Sequence, residues 1–325
     1  MLDAEVAERF DLETAFDSQL EAFSALAAGD CELSPKFFLD GDGTVPTVFT
    51  YGARASARGA ACVRVACVGG VENHRRGLPE LDAVLVIGDP GTGLVRAIVD
   101  GVRFTQIRTA AAAAVAAEHL ARRDARRLAL LGSGPQADAC AAAIARVRAL
   151  DGVSLWSPTP DHRAAAVARI GASLRLPVRE AASAADAVRS SDLIVAATNS
   201  RRPVFDGADV LPGALVVSLG SFRPDRCEVD DELLERAAVV VVDHPPAALE
   251  TAGPVIRWAA RGAGRAPLAI GAVIGGCSAR RSDDEILFFN SVGLGVQDAA
   301  AAEWLLRAIE LGGVGTTLAQ LVRGA

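Results

Sequence analysis

Leu128-Ala129-Leu130-Leu131-Gly132-Ser133-Gly134-Pro135-Gln136-Ala137 is the stretch on which the fold turns. Four apolar residues read as a buried strand, the two glycines as a tight turn, and the Ala-rich run from Pro135 as a helix. The spacing is Gly-x-Gly-x-x-Ala, set between strand and helix. The first glycine permits the turn, the second lets backbone approach a pyrophosphate, and the small third residue lets the helix pack close to the strand. A helix N-terminus then faces the anion. Pro135 takes the first helical position, where its missing N–H costs nothing. Gly132, Ser133, Gly134, Pro135, Gln136 and Ala137 are thus the expected phosphate-binding turn of a dinucleotide site.

Outward from this turn the chain keeps one rhythm. Apolar strands are expected at 127–131, 153–156, 177–179, 193–197, 214–219 and 238–242. Helices are expected between them at 135–150, 161–174 and 183–189. Continuous apolar strands alternating with helices mean a parallel sheet covered on both faces. Upstream the pattern differs. Residues 11–28 read as an amphipathic helix capped by Asp11, with Leu12, Phe16, Leu20 and Phe23 on one face. Short strands follow at 45–50, 60–68, 83–87 and 95–99, the last two as a hairpin, with turns such as 41–43 between them. An Ala-dense helix is expected at 104–123 and another at 296–322. The predicted class is α/β. A Rossmann-type doubly wound parallel-sheet domain spans 119–297, and a smaller α+β domain combines 1–118 with 298–325.

Composition limits the possible functions. The chain has 325 residues, of which 51% are hydrophobic and 22% charged. That is enough apolar material for a core and excludes disorder as the main state. A net charge of −7 argues against a nucleic-acid or polybasic membrane footprint. No apolar run reaches the roughly 20 residues of a spanning helix. The start, Met1-Leu2-Asp3-Ala4-Glu5, carries acids and no basic-then-apolar leader, so a cytoplasmic location is expected. Six scattered cysteines read as reduced thiols, and the four histidines form no metal-ligand spacing. The single lysine is informative: among 33 basic residues only Lys36 is not Arg. A GC-rich coding background exchanges Lys for Arg wherever a surface charge suffices, so Lys36 is a candidate for a site that wants a compact ammonium.

The end of the second strand sets cofactor choice. About twenty residues beyond Ala137 an NAD site usually places an acid for the ribose 2′-OH. Here stands Ser157, in Trp156-Ser157-Pro158-Thr159. Ser157 and Thr159 are candidate donors to a 2′-phosphate and Arg163 its candidate cation, so NADP(H) is preferred over NAD(H). Asp161 is read as the cap of the following helix.

Further blocks carry a resemblance. Arg108-Thr109-Ala110-Ala111, the Gly132–Ala137 turn, Ala196-Ala197-Thr198-Asn199-Ser200 and Leu211-Pro212-Gly213-Ala214 come in order. Then follow Leu219-Gly220-Ser221-Phe222-Arg223-Pro224-Asp225, Glu228-Val229-Asp230-Asp231-Glu232-Leu233 and Asn290-Ser291-Val292-Gly293-Leu294-Gly295-Val296-Gln297-Asp298. In order and spacing these resemble the ornithine cyclodeaminase/mu-crystallin family. The resemblance implies a homodimer whose smaller domain carries dimerisation and substrate binding. It also implies a nicotinamide cofactor and a small imino or amino acid substrate. Thr198, Asn199, Ser200, Leu219, Gly220, Ser221, Ser291 and Gly293 fall at its cofactor-binding positions.

The same resemblance places three cations on the substrate carboxylate: Lys36, Arg64 and Arg108. The family's common order has Arg first and Lys second; here the two are exchanged. The residues support a clamp on their own account. Arg64 alternates with Cys62 and Ala66 on an apolar strand, so it points inward, where an unpaired charge is costly. Arg108 lies near the start of a helix, where a cation opposes the macrodipole. A bound anion would resolve both problems, and an internal ion pair is the competing explanation for Arg64. Cyclodeaminases and alanine dehydrogenases of the family carry Asp where this chain has Phe222, and an apolar ring neither activates water nor takes a proton. The expected activity is therefore NAD(P)H-dependent reduction of Δ1-pyrroline-2-carboxylate or Δ1-piperideine-2-carboxylate to L-proline or L-pipecolate. The alternatives are an ornithine cyclodeaminase, an amino-acid dehydrogenase, or a non-catalytic NADP-binding relative. No general acid is evident: Glu72, His74 and Asp82 fall in the right loop region, but each reads as a solvated loop residue.

Overall fold

A computed structural model describes residues 6, 9–41, 45–69, 73, 76–262 and 266–312. The chain divides into two compact units, 1–108 with 294–325, and 109–293. Glu72, His74, the centre of the 41–43 turn and the tail beyond 312 lie outside the described residues.

In the first unit, Asp11 caps helix α1 (Leu12–Ala28) by accepting from Thr14 N at 2.8 Å. The buried face differs from the expected one. It is Ala15, Ser18, Gln19, Ala22 and Phe23, while Leu12, Phe16 and Leu20 stay half-exposed. Two polar residues displace the large apolar ones because each has an internal partner. Ser18 Oγ donates to Ala15 O, and the Gln19 and Gln297 side-chain amides pair at 2.9 Å. Burying a polar group costs little once it is hydrogen-bonded.

Strands β1 (Glu32–Leu33), β2 (Phe37–Leu39), β3 (Thr47–Arg54), β4 (Ala61–Val68), β5 (Leu81–Gly88) and β6 (Val95–Asp100) form an antiparallel sheet. Its order is β1-β3-β4-β5-β6, and β2 also pairs with β3. Strict alternation on β4 buries Cys62, Arg64 and Ala66 and exposes Val63, Val65 and Cys67. Helix α2 (Gly101–Leu120) follows β6, and Asp100 Oδ1 accepts from Val102 N at 2.9 Å. It starts at 101 rather than 104, so Arg108 stands beyond the first turn, where the helix dipole has faded. Arg108 is therefore not opposed by the helix dipole as expected, and its charge is compensated elsewhere. The C-terminal helix (Gly295–Gly312) packs on α1, β3 and β4. Gly295 permits this approach, since a Cβ there would stand 2.9 Å from Ala53 Cβ.

The second unit carries the parallel sheet. Strand β7 (Arg127–Leu131) enters the glycine turn, and helix α3 (Pro135–Val147) leaves it. Then come β8 (Gly152–Trp156), helix α4 (Pro160–Leu174), β9 (Val178–Glu180), β10 (Leu193–Ala196), β11 (Leu215–Ser218), β12 (Ala237–Val242), β13 (Leu268–Ala269) and β14 (Ile286–Asn290). The order is β13-β12-β14-β11-β10-β7-β8-β9, all parallel. Growth reverses between β7 and β10, and a doubly wound sheet binds its ligand at the carboxyl ends beside such a reversal. The residues of β7, β10, β11 and β14 are almost all buried, as continuous apolar runs require. All six cysteines are unpaired thiols. Among the described residues no helix is long and apolar enough to cross a membrane, and no His/Cys/Asp/Glu group is set to hold a metal.

Candidate active site

In the first unit the sheet and the C-terminal helix bring three of the expected residues together. Arg64 is 2% exposed, and its fork meets Asp298 in a bidentate pair, Nε to Oδ2 at 2.7 Å and Nη2 to Oδ1 at 2.9 Å. Its Nη1 donates to Thr105 Oγ1, whose hydroxyl donates to Gly101 O. Arg108 is 5% exposed. Its Nε lies 2.9 Å from Asp298 Oδ1, close enough for an ion pair but out of line for a hydrogen bond. Tyr51 is buried beside this cluster. Lys36 Nζ lies 5.5 Å from the centre of the Tyr51 ring, and the Arg64 guanidinium carbon 5.8 Å.

The expectation of an anion between these cations is met by the protein's own Asp298. Arg64 thus has the internal ion pair that the sequence left open, with a partner the sequence reading did not single out. Two buried guanidiniums nonetheless share one carboxylate, which leaves a positive charge beside it. Burial pushes the Tyr51 phenol up to about 12, with the guanidiniums pulling the other way. Burial also pushes the Asp298 carboxyl up, but Arg64 and Arg108 outweigh it and hold it below the ordinary carboxylate range. Asp82 is exposed on β5.

In the second unit the glycine turn has the geometry its sequence asks for. Gly132 has φ +125°, and a Cβ there would lie 2.6 Å from Ala197 O, so only glycine fits. Gly134 is exposed with open space on its Cβ side, and no side chain caps α3. Open backbone at an uncapped helix start, with Pro135 next, fits the pyrophosphate of a dinucleotide. Ala137 is fully buried against the strand.

The strand ends supply the remaining loops, each held by a buried acid that the sequence reading quoted without a role or passed over. Glu228 Oε1 accepts from Thr198 N at 2.6 Å and Thr198 Oγ1 at 2.8 Å. Its Oε2 accepts from Gly220 N at 2.8 Å and Ser218 Oγ at 2.7 Å. Ser221 Oγ accepts from Glu228 N at 3.0 Å. Burial raises the Glu228 carboxyl, opposed by these donors. Asp243 Oδ2 accepts from Ser291 Oγ, Val292 N and Gly293 N at 2.8–3.0 Å. Thr198, Leu219, Gly220, Ser221, Ser291 and Gly293 all stand at the carboxyl edge of the sheet, where the two acids hold the Thr198, Gly220, Val292 and Gly293 N–H groups. Asn199 is exposed, Ser200 Oγ donates to Arg202 O, and Phe222 is half-buried with the Arg226 guanidinium 5.1 Å from its ring centre.

At the end of β8 two expectations change. Ser157 is buried, and its hydroxyl pairs with Ser133 Oγ at 2.9 Å. Thr159, not Asp161, holds the N-cap position of α4; Asp161 falls in the first turn. Proline at 160 fixes this register, because it suits the first helical position. Arg163 reaches back from α4, donating from Nη1 to Ser157 O at 2.7 Å.

The comparisons agree with this architecture. The chain is 35% identical over 246 residues to a Delta(1)-pyrroline-2-carboxylate reductase of Bacillus cereus (strain ZK / E33L), covering 74% of this chain and 75% of the relative. It superposes on the Thermococcus litoralis Delta(1)-pyrroline-2-carboxylate reductase, solved in complex with NADH and L-proline, with TM-score 0.92 and 26% identity over 97% of this chain and 98% of that one. An archaeal alanine dehydrogenase dimer with bound NAD gives TM-score 0.90 and 27% identity over 98% of each chain. The model of the ornithine cyclodeaminase/mu-crystallin family matches residues 1–310, and the chain belongs to that family.

Proposed function

We propose that the chain reduces a cyclic imine bearing a 2-carboxylate, Δ1-pyrroline-2-carboxylate or Δ1-piperideine-2-carboxylate, to L-proline or L-pipecolate. It is an oxidoreductase acting on C=N bonds, and the nicotinamide dinucleotide supplies the hydride when bound. The observation that carries this reading is the surplus positive charge at Arg64, Arg108 and Asp298. A substrate carboxylate is the anion that would balance it. Arg108 and Lys36 are its direct ligands, while Arg64, its fork committed to Asp298, holds Arg108's partner in place. An iminium carbon is already electrophilic, so orientation supplies most of the acceleration. Phe222 packs against the substrate ring or the nicotinamide. It offers no base, which separates this chain from the deaminating members.

The smaller unit serves substrate binding and dimerisation, and the larger binds the cofactor. Gly132, Ser133, Gly134, Pro135, Gln136 and Ala137 seat the pyrophosphate. Thr198, Asn199, Ser200, Leu219, Gly220, Ser221, Ser291 and Gly293 border the nicotinamide end. Ser157, Thr159 and Arg163 border the 2′ end, with NADP(H) preferred over NAD(H). The test follows loss of reduced-nicotinamide absorbance with pyrroline-2-carboxylate, piperideine-2-carboxylate and an open-chain imine of a 2-oxo acid. Turnover of a cyclic imine is expected. Ammonia release from ornithine without added reductant, or oxidation of L-alanine with no imine reduction, would overturn the reading.

A further inference from the structure

The end of β8 carries an ion pair whose position has a consequence for cofactor choice. Arg163 is the fourth residue of α4, and its guanidinium turns back toward the strand end. Nη1 donates to Ser157 O at 2.7 Å, and Nε donates to Glu180 Oε1 on β9, also at 2.7 Å. The arginine side chain is 16% exposed and the glutamate 42%. Pro158, Thr159 and Pro160 around it are exposed and bring no charge. The hydroxyl of Ser157 is engaged with Ser133. Two cations stand near this corner: Arg169 donates to Ser133 O and pairs with Asp138, and Arg163, nearer the strand end, already has a carboxylate on its fork.

We propose that Glu180 limits how strongly this chain prefers a 2′-phosphorylated dinucleotide, by holding Arg163 at the end of β8 and neutralising it there. This rests on the dinucleotide site proposed above. A 2′-phosphate carries close to two negative charges and takes a guanidinium by paired, charge-assisted hydrogen bonds. To make them it must share or displace Glu180, and it meets that carboxylate's like charge. A dinucleotide with a free 2′-hydroxyl brings neither the ion pair nor the like-charge repulsion. The pair thus yields a modest preference where a lone arginine would yield a steep one. Glu180 acts through Arg163 and is a positioning residue.

The test measures dissociation constants of NADPH and NADH by fluorescence titration of the full chain, as parent, Glu180→Gln and Arg163→Gln. Glu180→Gln keeps the side-chain shape and removes the charge. NADPH binding should tighten about fivefold in Glu180→Gln and weaken about tenfold in Arg163→Gln, the scale of a charge-assisted contact. NADH should stay within about twofold of the parent in both, since its 2′-hydroxyl makes no ion pair. General damage would move both ligands together, so the ratio is the readout. An unchanged NADPH to NADH ratio in Glu180→Gln, with both still bound, overturns this proposal alone. A parent chain that binds neither dinucleotide overturns the functional reading and this proposal with it.

Discussion

Asp298 shows how much one side chain decides. It receives both arms of the Arg64 fork and the charge of Arg108, all away from water. Removing one partner of a buried pair leaves the other charge unpaired, so Asp298→Ala should lower unfolding free energy by about 3–5 kcal/mol in denaturant titration. The pH dependence has a definite sign. The carboxyl is held below its ordinary value of 3.8, so its stabilisation is complete above that value and is lost as pH falls through the depressed one. Asp298→Asn should lack this acid limb, and an unchanged limb would contradict the pairing. Tyr51 offers an optical check, because it is the only tyrosine. Tyrosinate absorbance of the folded chain should rise near pH 12 rather than at the ordinary 10. A midpoint near 10, with the fold intact by circular dichroism, would place the ring in water. The raised value also means that stability tied to Tyr51 holds below pH 10 and is lost as pH rises through about 12.

Among the elements, the β7–turn–α3 unit was fully legible, because each of its requirements is local. A positive φ, a short apolar run and a proline at the helix start are all written within ten residues. Gly132→Ala should weaken dinucleotide binding at least about tenfold by titration, since its new Cβ meets Ala197 O and its φ is strained. An unaltered dissociation constant would deny the turn its role. Strand β14 was not read as a strand. Its five residues fit a buried helix segment as well as a strand, and its slot between β11 and β12 is set by pairing with distant residues. The acids were illegible for the same reason. Asp298 finds Arg64 across 234 positions, and Glu228 finds Thr198 across 30. An acid in a sequence looks solvated until its donors are known. Helix α1 erred in the other direction: its largest apolar residues predicted one buried face, and an amide pair with Gln297 chose another.

At the scale of the whole molecule, the six-stranded sheet buries one face, and among the described residues the other carries an exposed apolar patch with Asp82 at its margin. Val63 and Val65 on β4 are 42% and 38% exposed, and Ile98 on β6 and Phe37 on β2 are 45% and 59%. Register joins them across the sheet. Val65 pairs with Thr50 and Val84, Val63 with Gly52 and Val86, Val86 with Ile98, and Thr50 with Phe37. An apolar patch of this kind suits an interface. A second copy presenting the same face would cover it with two-fold symmetry, which is the homodimer proposed for this chain. In such a dimer, Val65→Asp would bury a carboxylate in each copy with no cation on the neighbouring outward positions. The parent should behave as a dimer in light scattering, with a Tm that rises with protein concentration. Val65→Asp should behave as a monomer whose Tm does not. Its own fold should persist, because position 65 points away from the face that carries Arg64. A Val65→Asp chain that keeps the parent's mass would move the interface off this sheet.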